Sequence, residues 1–192
     1  MPATSRRSPQ TRESTVRKLV HVFRRCGYDG ATLSSISKAT DLGRASLYHH
    51  FPGGKREMGE AVLSYIGEEF GAIVLAPLRL PVSPRERLDG MAQGLMTFYD
   101  HGKNSCLLAV FALADADDLF AEIIRAKLEG WIATVAAVLV EAGLDATIAR
   151  VRSEDSVILV QGSLLVAHGL GDPRGFVRVV SELPDRLLAT DF

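Results

Sequence analysis

The chain has 192 residues, 47% of them apolar and 23% charged, with a formal net charge of −1. That is one or two domains with enough length to bury a core, and the scarcity of alternating β-branched runs favours a globular, mostly helical protein. Uninterrupted apolar runs fall short of the roughly 18–20 residues of a membrane span; the first twenty residues lack the apolar stretch of a secretory signal; Cys26 and Cys106, without a Cys-x-x-Cys spacing, suit a reducing cytoplasm.

Residues 1–8 are expected to be disordered. The first helix is predicted over Pro9 to Cys26, with Val16, Leu19, Val20, Phe23 and Cys26 on one face and Gly27 as its stop. Its Arg12, Arg17, Lys18, Arg24 and Arg25 fall on the wet sides. The second and third helices are predicted over 33–40 and 44–50. Thr32 is the N-cap of the second, Asp41-Leu42-Gly43 is the turn, and Ile36, Ala39, Leu42 and Leu47 supply an apolar seam. Two short helices crossing over so brief a turn have the geometry of a DNA-reading helix-turn-helix. Arg44 at the start of the third helix, Tyr48-His49-His50 at its end and Lys55 just beyond suit a phosphate-lined groove better than a packing surface.

The fourth helix is predicted over Gly54 to Ala76, with Met58, Val62, Ile66, Phe70 and Ile73 in its apolar stripe and Pro77, Pro81 and Pro84 marking a connector. At about 1.5 Å per residue it is a rod of ~35 Å, long enough to join a DNA-binding head to a separate body. The fifth helix covers Pro84 to His101, the sixth Ser105 to Ala114 and the seventh Asp117 to Ala142. The eighth covers Asp145 to His168 and the ninth Pro173 to Ala189, kinked or broken at Pro184. Val157-Ile158-Leu159-Val160 and Leu164-Leu165-Val166 in the eighth, and Phe176, Val177, Val179, Val180, Leu183 and Leu187 in the ninth, read as apolar on more than one side. A helix of that kind buries both sides, either inside one chain or against a second subunit. Gly162, with Ser163 and Ala167, allows close approach of a neighbouring helix.

Charge is divided unevenly. Residues 1–56 hold eleven Lys/Arg against three Asp/Glu, a net +8, and the remainder carries −9. A basic N-terminal third interleaved with helical periodicity points to nucleic acid as its partner.

The pattern Phe23…Gly27-Tyr28…Thr32…Ile36…Leu42-Gly43-Arg44…Leu47-Tyr48-x-x-Phe51…Lys55 resembles the N-terminal domain of the tetracycline-repressor (TetR) family, over roughly residues 14–60. The run from His49 to Lys55, with Cys106-Leu107-Leu108-Ala109 downstream, is similar to its LmrA/YxaF-like branch. Two positions depart from the family pattern. Asp41 stands where Gly is usual, and Gly43 where a capping Ser or Thr is usual; Asp tolerates the left-handed conformation and Gly is an acceptable N-cap.

The resemblance implies an all-α fold: a three-helix DNA-binding domain with a helix-turn-helix over residues 1–54, and a helical effector-binding and dimerisation domain over 55–192. It implies a homodimer through helices 8 and 9, reading a pseudo-palindromic operator in double-stranded DNA. Thr32, Arg44, Ala45, Ser46, Tyr48, His49, His50 and Lys55 become the DNA-binding set. Tyr48, His50 and Lys55 fall on the backbone, and Arg44, Ala45, Ser46 and His49 fall nearest base edges. It further implies a cavity for a small apolar or aromatic effector among Phe70, Met91, Leu95, Phe98, Phe111, Trp131 and Val135, with Tyr99, His101 and Gln161 as polar fixers. The same large residues also make an ordinary helical core.

Other chemistries find no support in the motifs. His21, His49, His50, His101 and His168 form no metal-spaced pair, and no nucleophile elbow, phosphate loop or dinucleotide fingerprint is present. Asp115-Ala116-Asp117-Asp118 reads as a solvated turn before a helix. Cys106 reads as a buried thiol, with a reactive thiol at a helix start as the other reading. The expected function is therefore a cytoplasmic, non-enzymatic transcriptional regulator without a cofactor, a repressor released by its ligand. The alternative is a DNA-binding regulator controlled by a protein partner or by cysteine oxidation.

Overall fold

The computed structural model describes residues 11–113 and 119–189, among which there is no strand. The predicted helix start at Pro9, the expected disorder of residues 1–8 and the acidic run Asp115-Ala116-Asp117-Asp118 lie outside those residues, as does the predicted seventh-helix start at Asp117.

α1 is Arg12–Gly30, capped by Thr11 and kinked at Gly27 (φ 71°, ψ 173°), so the stop read there is a break inside a longer element. α2 is Leu33–Thr40; the Thr32 hydroxyl accepts from the Ser35 amide, and Asp41 ends the helix in the left-handed conformation (φ 60°, ψ 32°). α3 is Arg44–His50, with Gly43 extended at its N-cap (φ −67°, ψ 162°). α4 is Gly54–Phe70, and the chain divides into two compact units between Tyr65 and Ile66, inside that helix.

In the first unit Val16, Leu19, Phe23, Ile36, Leu47, Phe51, Met58 and Val62 are buried together. Ala39 does not join this seam. It is exposed, and Thr40 takes the inward position, its hydroxyl donating to the Ile36 carbonyl at 2.8 Å.

In the second unit regular α-helix ends at Phe70, not at Ala76. A wider π turn follows over Gly71–Leu75, then a 3-10 turn over Ala76–Arg79. Pro77 accounts for this: it has no N–H to donate to Ile73, and its ring crowds that carbonyl. By length and composition the stretch from Gly54 to Arg79 is long and apolar enough to span a membrane, although charged residues break it into shorter apolar runs. Here Val62, Leu63, Ile66, Val74 and Leu78 are buried in protein, and exposed Glu68 and Glu69 interrupt the stretch.

α5 is Pro84–Phe98, opened by a capping box between Ser83 and Glu86. It stops before His101 because Asp100, His101 and Gly102 are all left-handed (φ 44°, 53° and 90°). α6 is Leu107–Ala112, α7 Ala121–Glu141, α8 Ala146–Leu170 and α9 Arg174–Leu188. α8 packs between α7 and α9, and α5 packs against α9 and the π turn.

α9 differs from its sequence reading in two ways. It is continuous through Pro184, and it is apolar on one side only. Phe176, Val179, Val180, Leu183 and Leu187 are all buried in their own chain, and Arg174, Arg178, Ser181 and Asp185 face out. Val177 and Leu188, at the edge of that face, are half-buried against the same core. α8 does carry a second apolar side. Val151, Ile158, Leu165 and Leu170 are exposed at 45%, 61%, 76% and 74%, whereas Leu164 is buried.

Candidate nucleic-acid interface

α3 sorts its residues by helical spacing. Leu47 and Phe51 are fully buried and fix the helix to the first unit. Arg44, Ala45, Ser46, Tyr48 and His49 are exposed and His50 is half-buried. The turn before it is closed by backbone and side chain together. The Asp41 amide donates to the Ser37 carbonyl at 2.8 Å, and the Ser37 hydroxyl donates to the Leu42 carbonyl at 2.6 Å. Thr32 is exposed at the start of α2.

Basic residues of α1 hold this arrangement from below. The Arg12 guanidinium donates to the His50 carbonyl at 3.3 Å, pairs with Glu57 at 3.1 Å and lies over the Phe51 ring, 4.9 Å from its centroid. Its charge thus meets the negative end of the α3 dipole. Glu57 also accepts from the Gly53 amide at 2.8 Å, ahead of α4. Lys18 donates to the Thr40 carbonyl at 3.1 Å, at the end of α2. Sequence reasoning counted Arg12 and Lys18 as surface charge and missed this positioning role. The one available signal was their place on the sides of α1 next to its buried face.

Lys55 is half-buried. Its ammonium donates to the Asp29 carbonyl at 3.2 Å and lies over the Tyr28 ring, 4.5 Å from the centroid. Burial, with Asp29 next, raises the pKa of the Tyr28 phenol above its ordinary value.

A domain of this kind has known counterparts. Residues 17–62 match the family model for bacterial regulatory proteins of the tetR family. Over those residues the chain is similar to the DNA-binding domain of that family. It is 22% identical over 181 residues to the helix-turn-helix-type transcriptional regulator LmrA of Bacillus subtilis, covering 92% of this chain and 96% of that protein. It is 21% identical over 178 residues to the uncharacterised regulator YxaF of the same organism, covering 91% and 93%. The TetR regulator structure from Legionella pneumophila superposes with a TM-score of 0.79 at 22% identity, covering 95% of this chain and 98% of that one. A cysteine mutant of the TetR-family regulator CifR, solved with 26-bp operator DNA, gives 0.74 at 18%, covering 94% and 98%. TetR-family regulators are DNA-binding proteins, and this chain shares their all-helical fold.

The second unit gathers six of the seven proposed effector residues into one cluster: Phe70, Met91, Leu95, Phe98, Trp131 and Val135. Phe70 meets Trp131 edge-to-face at 4.9 Å and Phe98 at 5.1 Å. The Trp131 indole N–H is buried without a hydrogen-bond partner among the described residues. Gln161 donates to the Tyr99 hydroxyl at 3.5 Å, which lies 3.6 Å from the buried Cys106 thiol. His101 is exposed and outside this group. Phe111 stands apart, against Phe120 at 4.9 Å, beside a cavity of about 440 Å³ between α6 and α7. The other six do not border that cavity.

Proposed function

We propose that this regulator represses transcription as a homodimer in the cytoplasm and leaves its operator when a small apolar effector binds the second unit. The observation that carries the DNA reading is α3 itself: its apolar residues are buried at every inward position, and a polar, basic set is left outward on a unit of strongly positive charge. We assign Arg44, Ala45, Ser46 and His49 to base edges, and Tyr48, His50, Thr32 and Lys55 to the sugar-phosphate backbone. Lys55 is already engaged with Asp29 and Tyr28, so a phosphate would share it.

The DNA-binding domain is taken as residues 1–54 and the effector and dimerisation domain as 55–192. Two heads spaced by about one helical turn, ~34 Å, would read a pseudo-palindromic site. The second apolar side of α8 supplies the dimer contact, and an effector acts by favouring a dimer with badly spaced heads, through α4. The 440 Å³ cavity supports the effector reading, since ligand sites run from about 300 Å³ upward. Control by oxidation of Cys106 is less well supported, because the thiol is only 6% exposed.

The test is selection of bound duplexes from a random pool, then measurement of affinity for the selected site. Recovery of a symmetric site bound at low nanomolar concentration, with release by compounds found in a thermal-shift screen, supports the proposal. Enrichment of no sequence removes it.

A further inference from the structure

The cavity between α6 and α7 has an uneven chemistry. Phe111, Phe120, Ile124 and Ile132 form its walls and are buried, at 2%, 3%, 9% and 8% exposure. Among the described residues its charged ones are Arg125 and Glu129, both exposed on α7. Their charges are not equivalent. Glu129 is already paired with Arg150, 2.9 Å away on α8. Arg125 makes no ion pair or side-chain hydrogen bond among the described residues. Among the described residues the cavity therefore presents apolar walls and one guanidinium without an ion-pair partner, a planar fork that fits a carboxylate better than any neutral group.

We infer that this cavity takes an apolar carboxylic acid, its hydrocarbon part against Phe111, Phe120, Ile124 and Ile132 and its carboxylate on Arg125. The inference rests on the effector reading and makes it specific in place and in chemistry: beside α6 and α7, not in the aromatic cluster around Trp131, and anionic instead of neutral. A volume of about 440 Å³ accommodates a chain of about ten carbons. Because Arg125 is exposed, its contribution is screened by salt.

The experiment titrates the full chain with decanoate and, separately, with decan-1-ol, which has the same chain length and no charge. Fluorescence of Trp131, the single tryptophan and the neighbour of Ile132, reports binding. Decanoate should bind about five- to tenfold more tightly at low salt, and the preference should shrink as salt rises. Arg125→Gln should remove the preference while leaving decanol binding unchanged, and Arg125→Lys should retain part of it. Ile124→Phe, which narrows the cavity and keeps Trp131 the single tryptophan, should weaken both ligands, and its thermal unfolding verifies that it is folded. Equal binding of the two ligands overturns the proposal, as does a preference that survives Arg125→Gln, or no binding of either. If decanoate fails while uncharged compounds shift the thermal midpoint, the anionic site falls and the effector reading stands. If no compound of either kind binds, both fall.

Discussion

Arg12 ties together three parts of the candidate DNA interface. It joins the end of α3 to the start of α4 through the His50 carbonyl, Glu57 and the Phe51 ring. Arg12→Ala should cost the first unit about 0.5–1 kcal/mol in chemical denaturation, a value discounted for solvent exposure. It should also weaken all duplexes alike, because α3 loses its fixed angle. Arg44→Ala should behave differently. Arg44 is exposed at the α3 N-terminus, and loss of a bidentate guanine contact would cost about 1–3 kcal/mol at one base position only. Binding arrays of single-base operator variants separate the two: a uniform loss for Arg12, a relaxed position for Arg44. The α3 pattern was legible in the sequence because Leu47 and Phe51 are four residues apart and share a helix face, leaving Tyr48 and His49 outward. The role of Arg12 was not, because its partners lie 38 and 45 residues away and only the tertiary fold brings them to it.

Helix identity was legible at the scale of elements, and helix ends were less so. Periodicity, caps and turn residues place the α-helices, and Asp41 and Gly27 take the positive φ that the turn and the break in α1 require. What escaped was the π turn at Gly71–Leu75, which depends on a Pro77 effect reaching back a full turn and on close packing by α5. A Cβ on Gly94 would fall 2.3 Å from the Ile73 carbonyl oxygen and 3.0 Å from the Val74 Cα. These are backbone atoms, so they yield only if the helices part. Gly94→Ala should therefore destabilise the second unit by about 1–3 kcal/mol, read as a lower denaturant midpoint. Gly162→Ala, whose new methyl meets nothing within 4 Å, should leave the fold intact.

α8 offers a pH test at its other end. The Asp145 carboxylate accepts from the Thr147 and Ile148 amides, and those bonds hold its pKa below the ordinary aspartate value. The folded pKa is the lower one, so the stabilisation is complete above the unfolded value of about 3.9 and is lost as pH falls through the folded value. Asp145→Asn keeps a capping oxygen and removes the titration. Its thermal midpoint should change less than wild type between about pH 4 and pH 2, and parallel acid limbs for the two proteins would contradict this.

At the scale of the whole molecule, the two last helices separate what composition had merged. The sequence made both apolar on two sides. Packing turns Phe176, Val179, Val180, Leu183 and Leu187 of α9 into their own core, with Val177 and Leu188 half-buried at its edge, and leaves α8 with an outward stripe of Val151, Ile158, Gly162 and Leu165, with Leu170 beyond. The difference was not legible from residue types, because burial of a helix depends on which neighbours the chain brings to it. It changes where the dimer proposal is tested. Leu164 and Val180 are 3% and 0% exposed, so a charge at either should unfold the second unit whether or not the protein dimerises. Leu165 is 76% exposed, and a glutamate there meets only water in an isolated chain but like charge and apolar surface across a two-fold contact. Leu165→Glu should therefore keep its far-ultraviolet circular dichroism and sediment as a monomer at micromolar concentration. It should also lose the avidity of two linked heads, binding a single half-site about as well as a full operator. Leu164→Glu should lose helical signal instead. A dimeric Leu165→Glu, or a folded Leu164→Glu that dissociates, would move the contact away from the outer side of α8.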